Sequence, residues 1–187
     1  MSSAQSERRI SVVGSSGSGK STIARAIGSA LDLPVVELDV INWQAGWRDL
    51  NTHDPAEFVR RVQTAVAAPV WVIDGNYGRV QPYVLRRATD VVWLDLPFVL
   101  TMRRVFARSF IRSLTRKEVW PGTGNIELWR NWLNADHPAW WSLNRFAQTR
   151  SRYEAAFADP RLGHLTIHRV RTPVEAKALV GRLGRAP

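Results

Sequence analysis

The run Gly14-Ser15-Ser16-Gly17-Ser18-Gly19-Lys20-Ser21-Thr22 constrains this chain more than any other stretch, because it satisfies G-x-x-x-x-G-K-[ST] in full. Its surroundings fit as well. Arg9-Ile10-Ser11-Val12-Val13 reads as a short buried strand, and Thr22 to Leu31 carries apolar residues at helical spacing. Strand, glycine-rich loop and helix in that order make a phosphate-binding loop. Glycines let several backbone N–H groups converge on one anion, and the helix N-terminus adds partial positive charge at the same point. Gly14, Ser15, Ser16, Gly17, Ser18, Gly19, Lys20, Ser21 and Thr22 are therefore the candidate nucleotide-binding residues. They imply ATP and Mg²⁺, with Lys20 reaching the β- and γ-phosphates and the Ser21 hydroxyl ligating the metal.

The rest of the chain alternates strand and helix patterns, which predicts an α/β fold of the P-loop NTPase type with a five-stranded parallel sheet flanked by helices. The expected strands are Ile10–Val13, Val35–Asp39, Val70–Asp74, Val91–Asp95 and Leu165–His168. Helices are expected over Ser21–Leu31, Pro55–Ala67, Val80–Arg87, Val99–Leu114, Ser142–Ala158 and Pro173–Leu183, the last with Thr172 as its N-cap. Asn42–Arg48 reads as a polar, aromatic loop and Thr115–Trp141 as irregular and tryptophan-rich. No repeat or linker divides the 187 residues, so one domain is expected, with a helical lid over about 100–142.

Three expected strands end in an acid: Asp39, Asp74 and Asp95. Ligands of open α/β sheets bind beyond the carboxyl ends of the strands, so these acids would crowd the phosphate edge. That arrangement suits Mg²⁺ binding and proton abstraction; the competing reading is that one or two of them merely cap helices. Glu37 and Asp39, two apart on a strand, would share a face. Asp39 is the candidate to hold an acceptor hydroxyl or take its proton. Ser21, Glu37 and Asp95 form the candidate metal set, Glu37 either acting through water or simply packing at the sheet edge.

Arg104, Arg108, Arg112 and Arg116 recur every four residues with Arg103 alongside, while Leu100, Phe106, Phe110, Ile111 and Leu114 supply an opposite face expected to be buried. Such an arginine face calls for a counterion. ATP phosphates under a closing lid would serve, as would a nucleic-acid backbone; a solvated face is the remaining reading. Lys20, Asp39, Arg104 and Arg108 are the catalytic candidates. Trp43, Trp47, Asp74, Asn76, Tyr77 and Arg79 are, with Asp39, the candidate acceptor contacts, whereas Trp71 and Trp93 lie in strands and read as core. Five of the nine tryptophans fall between Trp120 and Trp141.

The net charge is +10, carried by 23 arginines against 3 lysines. Arginine forks bind phosphate in a bidentate way, which fits a polyphosphate site or nucleic acid, and an arginine-rich genome composition explains the same excess. The chain has no cysteine, so disulfides and thiolate metal sites are excluded. No apolar run approaches the roughly 18–20 residues of a membrane span, and Met1–Arg9 is polar, so a cytoplasmic protein without membrane attachment is expected.

The segments RISVVGSSGSGKSTIARAIGSALDLPVVELDVINWQAGW, WVIDGNYGRV, DVVWLDLP and RRVFARSFIR together resemble the bacterial topology modulation protein family, which is similar to adenylate kinases and other small P-loop kinases. The combination ELDxIxWQxGW with WVIDGNY carries most of the resemblance. It implies a helical lid over the parallel sheet, ATP as phosphoryl donor, and an acceptor contact at Asp39. Nucleotide kinases carry a DGFPR-like segment where this chain has Asp74-Gly75-Asn76-Tyr77, with Arg79 the nearest arginine, which weighs against a nucleoside monophosphate acceptor. The sequence therefore reads as an ATP-dependent phosphotransferase acting on a nucleotide, nucleoside or small metabolite. The competing reading is an ATP-binding regulatory or nucleic-acid-associated protein with little turnover.

Overall fold

The computed structural model describes residues 7–128 and 138–185, with backbone only at positions 138, 139 and 141. Trp129 and Trp132 lie outside the described residues, as does the lid segment 129–137. The strands are β1 (Arg9–Gly14), β2 (Val35–Glu37), β3 (Trp43–Gln44), β4 (Arg48–Asp49), β5 (Trp71–Asp74), β6 (Asp90–Leu94) and β7 (Thr166–Val170). Five of them form one parallel sheet in the order β2-β5-β1-β6-β7. All five are alike in direction because helices carry the chain back between them. The helices are α1 (Lys20–Leu31), α2 (Leu38–Asn42), α3 (Leu50–His53), α4 (Pro55–Val66), α5 (Gln81–Arg87), α6 (Phe98–Thr115), α7 (Pro138–Phe157) and α8 (Pro173–Leu183).

Each face of the sheet has its own apolar layer. On one face Ala24 and Ile27 of α1 and Leu179 and Leu183 of α8 cover Ile10, Val12, Val72 and Val92. On the other, Phe58 and Val62 of α4, Val84 of α5 and Tyr153 of α7 cover Val13, Trp71, Ile73 and Trp93. Central strands buried on both faces read as continuous apolar runs, and Val91-Val92-Trp93-Leu94 is buried throughout. α8 begins where its sequence says it should: the Thr172 hydroxyl accepts from the Glu175 N–H and Pro173 opens the helix.

Three expectations change. β2 stops at Glu37 because its last partner is Asp74, the final residue of β5, so no ladder extends to Asp39. Asp39 instead sits in the first turn of α2, and the two carboxylates do not share a strand face. Asn42–Arg48 is not a plain loop: β3 and β4 pair antiparallel as a hairpin through a tight turn at Ala45–Trp47.

The third change is the orientation of α6. Its buried positions are Thr101, Met102, Val105, Ser109 and Ser113, while Phe110, Ile111 and Leu114 are 51%, 57% and 65% exposed. The cause is its close approach to the glycine-rich loop. A Cβ at Gly17, where φ is +78°, would lie 2.3 Å from the Thr101 carbonyl oxygen. Thr101 and Val105 face the loop across that contact, which leaves Phe110, Ile111 and Leu114 on the outward side of the helix.

Candidate functional site

The loop between β1 and α1 lies at the carboxyl edge of the sheet. Lys20 begins α1, and its ammonium donates to the Ser15 carbonyl at 3.1 Å, folding back over the loop. Burial lowers its pKa, the carboxylates of Asp74 and Asp39 oppose that shift, and Arg108 adds to it. Lys20 therefore feels both acids and an arginine of α6 at once.

Ser21, the next residue, donates through its hydroxyl to Asp74 at 2.5 Å. β5 lies beside β1 and ends at Asp74, so the sheet itself delivers this carboxylate to the start of α1. The second oxygen of Asp74 is buried and has no hydrogen-bond partner among the described residues. Burial raises the Asp74 pKa; Lys20 and the Ser21 hydroxyl pull it down, and the charges of Asp39 and Glu37 push it up. A buried oxygen without a donor beside a serine hydroxyl is a site that a hydrated divalent cation would complete. Mg²⁺ takes few protein ligands and keeps water and phosphate oxygens for the rest, so Ser21 and Asp74 suit it chemically.

The other sequence-derived metal candidates are engaged elsewhere. Glu37 pairs with Arg25 of α1, with oxygen-to-nitrogen distances of 2.7 and 2.9 Å. Asp95 binds Arg169 at 2.6 Å and Arg150 at 3.2 Å, with only 3% of its side chain exposed. Two guanidinium groups neutralise that carboxylate, and Arg169 also lies over the Trp93 ring at 4.2 Å. Of the expected metal set, Ser21 thus lies against Asp74, while Glu37 and Asp95 are each ion-paired with arginine. Among the described residues no cluster of three or more acids and histidines is arranged around a metal position.

Asn76 bonds to the first glycine of the loop. Its amide nitrogen donates to the Gly14 carbonyl, and its oxygen accepts from the Gly14 N–H at 3.3 Å and from the Tyr153 hydroxyl at 2.6 Å. One side chain thereby satisfies both backbone groups of the first loop glycine and ties β1, the segment after β5, and α7 together. Tyr153 is fully buried, and burial pushes its hydroxyl pKa up to about 12. Sequence reasoning missed Tyr153 because a phenol 77 positions away carries no local signal.

Asp39 accepts from the Tyr77 hydroxyl at 2.7 Å and is itself exposed. Tyr77 packs edge-on against Phe58 with centroids 5.0 Å apart, so the ring that orients Asp39 is anchored in the core. Arg79 donates to Asn51 at 3.2 Å, and Asn51 donates its N–H to Asn42 at 2.8 Å. Gly75 leaves room for this corner, since a Cβ there would lie 2.6 Å from Leu38.

Trp43 and Trp47 are gathered with a third ring, Trp120. Trp43 stacks on Trp120 with centroids 5.3 Å apart, and Trp47 meets both edge-on at 5.8 and 5.7 Å. Asn125, 1% exposed, accepts from the Trp47 N–H at 2.8 Å and donates to the Gln44 carbonyl at 2.9 Å. The β3–β4 hairpin is thus clasped by a second hairpin-like turn, closed at Glu118 and Ile126. Part of the ring surface of both tryptophans is spent on this clasp.

α6 crosses the loop from the opposite side. Arg108 donates to the Ser16 hydroxyl at 3.2 Å, and the Arg104 guanidinium would lie 3.8 Å from a Cβ at Gly19. Both arginines are exposed at the rim of the loop.

No family model matches the chain, and no curated protein is similar to it in sequence. Solved structures are similar in fold. A shikimate kinase from Acinetobacter baumannii in complex with shikimate aligns with a TM-score of 0.55 at 16% identity, over 96% of this chain and 92% of that one. A shikimate kinase from Aquifex aeolicus aligns with 0.53 at 15% identity, over 94% and 92% of the two chains. A sugar kinase from Janibacter aligns with 0.52 at 19% identity, over 94% and 91%. Likeness at this identity shows fold alone. The chain has the α/β architecture of small P-loop kinases, a five-stranded parallel sheet flanked by helices.

Proposed function

We propose that the protein is an ATP-dependent phosphotransferase that moves the γ-phosphoryl group to a hydroxyl of a small metabolite, nucleoside or nucleotide. One observation carries this reading: Ser21 bonded to Asp74, beside a half-buried Lys20 that also feels Asp39, at the mouth of a glycine-rich loop. A pure binding loop has no use for the second acid. Lys20, Ser21 and the loop N–H groups would hold the phosphates of ATP, and Mg²⁺ on Ser21 and Asp74 would neutralise their charge. Asp39, turned by Tyr77, would accept the acceptor's proton as the acceptor oxygen bonds to the γ-phosphorus and ADP leaves with its oxygen. Arg104 and Arg108, beside Gly19 and Ser16, would offset the charge that spreads over the moving phosphoryl group.

The test is ATP consumption with Mg²⁺ against nucleoside monophosphates, nucleosides, sugars, sugar acids and short oligonucleotides, with Lys20→Ala as control. An acceptor that lifts turnover well above the water background supports the kinase reading. ATP binding without stimulation by any acceptor overturns it in favour of a regulatory protein. Oligonucleotide binding that weakens steeply with salt would move it toward nucleic acid.

A further inference from the structure

The ladder between β1 and β5 ends with Val12 opposite Asp74, so two steps further on Gly14 falls opposite Asn76, past the end of β5. The Asn76 side chain takes the place of the missing ladder: its amide nitrogen donates to the Gly14 carbonyl and its oxygen accepts the Gly14 N–H. Glycine restrains its own backbone less than any other residue, so the direction in which the loop leaves β1 has to be set from outside. Gly14 holds a φ of +148°, and a Cβ there would lie 2.6 Å from the Leu94 carbonyl oxygen.

An asparagine amide alone is a loose clamp, because rotation about its χ2 is broad. The Tyr153 hydroxyl closes that freedom by donating to the Asn76 oxygen at 2.6 Å. It cannot swing away. The ring is fully buried, stacked on Phe157 with centroids 5.5 Å apart and tilted against Trp93 at 6.2 Å. The same stretch of α7 is fastened to the carboxyl edge of the sheet: Arg150 meets Asp95 at 3.2 Å, Glu154 meets Arg169 at 3.0 Å, and Arg152 donates to the Asn76 carbonyl at 3.4 Å. Between α7 and the loop is a recess of only about 10 Å³, lined by Ser15, Asp95, Arg150 and Tyr153 among others. A buried phenol hydroxyl needs a partner, which accounts for Tyr153 having one. It does not account for the partner being the very atom that holds the first glycine of the loop.

Resting on the reading of Gly14–Thr22 as the donor-phosphate loop, we propose that Tyr153 is a positioning residue for that loop. Acting through Asn76, it fixes the Gly14 peptide and thereby the aim of the N–H groups that follow. α7 then contributes to donor binding without Tyr153 touching the nucleotide.

The experiment titrates ATP, ADP and inorganic tripolyphosphate, each with Mg²⁺, into wild type, Tyr153→Phe, Asn76→Ala and the double variant, alongside thermal midpoints. Tyr153→Phe keeps the ring and its stacking and removes only the hydroxyl. It should weaken all three ligands roughly 3- to 10-fold, the worth of one hydrogen bond. A loss shared with tripolyphosphate, which has no base or sugar, places the effect on the phosphate loop. In the Asn76→Ala background the same substitution should change affinity by less than about twofold, because the link it acts through is gone.

Unchanged affinity in Tyr153→Phe, with or without a lower thermal midpoint, would overturn the proposal and leave the hydroxyl a satisfied core group. Equal losses in the two backgrounds would overturn it as well, since Tyr153 would then act by another route. Should Asn76→Ala not fold, the affinity of Tyr153→Phe set against its own thermal midpoint decides alone. The titration needs no acceptor, so a kinase reading that fails for want of one is seen separately. Wild type that binds none of the three ligands removes the loop reading, and this proposal falls with it.

Discussion

At the proposed donor end of the site the loop, its lysine and its serine come from one run of nine residues, with Asp74, Asn76, Tyr153, Arg104 and Arg108 added from elsewhere. At the proposed acceptor end Asp39, Tyr77, Arg79, Trp120 and Asn125 come from distant segments and are held through contacts of their side chains. A backbone-built cradle suits a partner that never changes, such as a polyphosphate, because N–H groups cannot be substituted away. A side-chain-built pocket can be altered one residue at a time, which suits the half of the site that chooses the acceptor.

The division is most sharply broken or upheld at Lys20. Lys20→Ala should lower turnover by roughly a thousandfold and weaken ATP binding, as loss of a preorganised cation at the transferring phosphoryl group does. ATP consumption together with equilibrium ATP binding measures both. Asp39→Asn should lower kcat by roughly a hundredfold or more, the range of a general base, yet leave ATP affinity nearly intact. Equal loss of ATP affinity in the two variants would show that donor and acceptor halves are not separable.

Asn76→Ala comes next. It would leave the Gly14 N–H and carbonyl and the Tyr153 hydroxyl without their partner, destabilising the fold by about 2–3 kcal/mol. Urea denaturation reads this, and an unchanged midpoint would mean that the clasp holds nothing. Trp120→Ala should cost about 1 kcal/mol of aromatic packing and raise acceptor KM several-fold, with ATP KM unchanged. A shift in ATP KM instead would tie the tryptophan clasp to the donor end.

The smallest effect is a pH dependence that should be confined to the donor half. Burial raises the folded-state pKa of Asp74, so the fold favours its protonated form. The associated stability is full below the ordinary aspartate value of 3.8 and is lost as pH rises through the raised value. Thermal midpoints of the ligand-free protein should therefore fall across that window in wild type and not in Asp74→Asn. Parallel pH profiles for the two proteins would contradict the assignment.

Local chemistry decided much of this molecule. Gly14 to Thr22 specifies its strand–loop–helix unit because the required φ angles and the helix start lie within nine residues, and Thr172-Pro173 specifies the start of α8 for the same reason. Short apolar runs fix the three central strands of the parallel sheet, since each of those runs is buried on two faces. Tertiary structure decided the partners of the polar groups. Asp95 looks like Asp74 in sequence, each closing a strand pattern, but lies beside Arg169 and Arg150 while Asp74 lies beside Ser21. Asp39 parts from Glu37 because β5 runs out at Asp74, and the apolar residues of α6 turn outward because Gly17 meets the carbonyl of Thr101. Backbone geometry is written within a few neighbouring residues, whereas the partner of a side chain depends on which distant element the fold brings within a few ångströms.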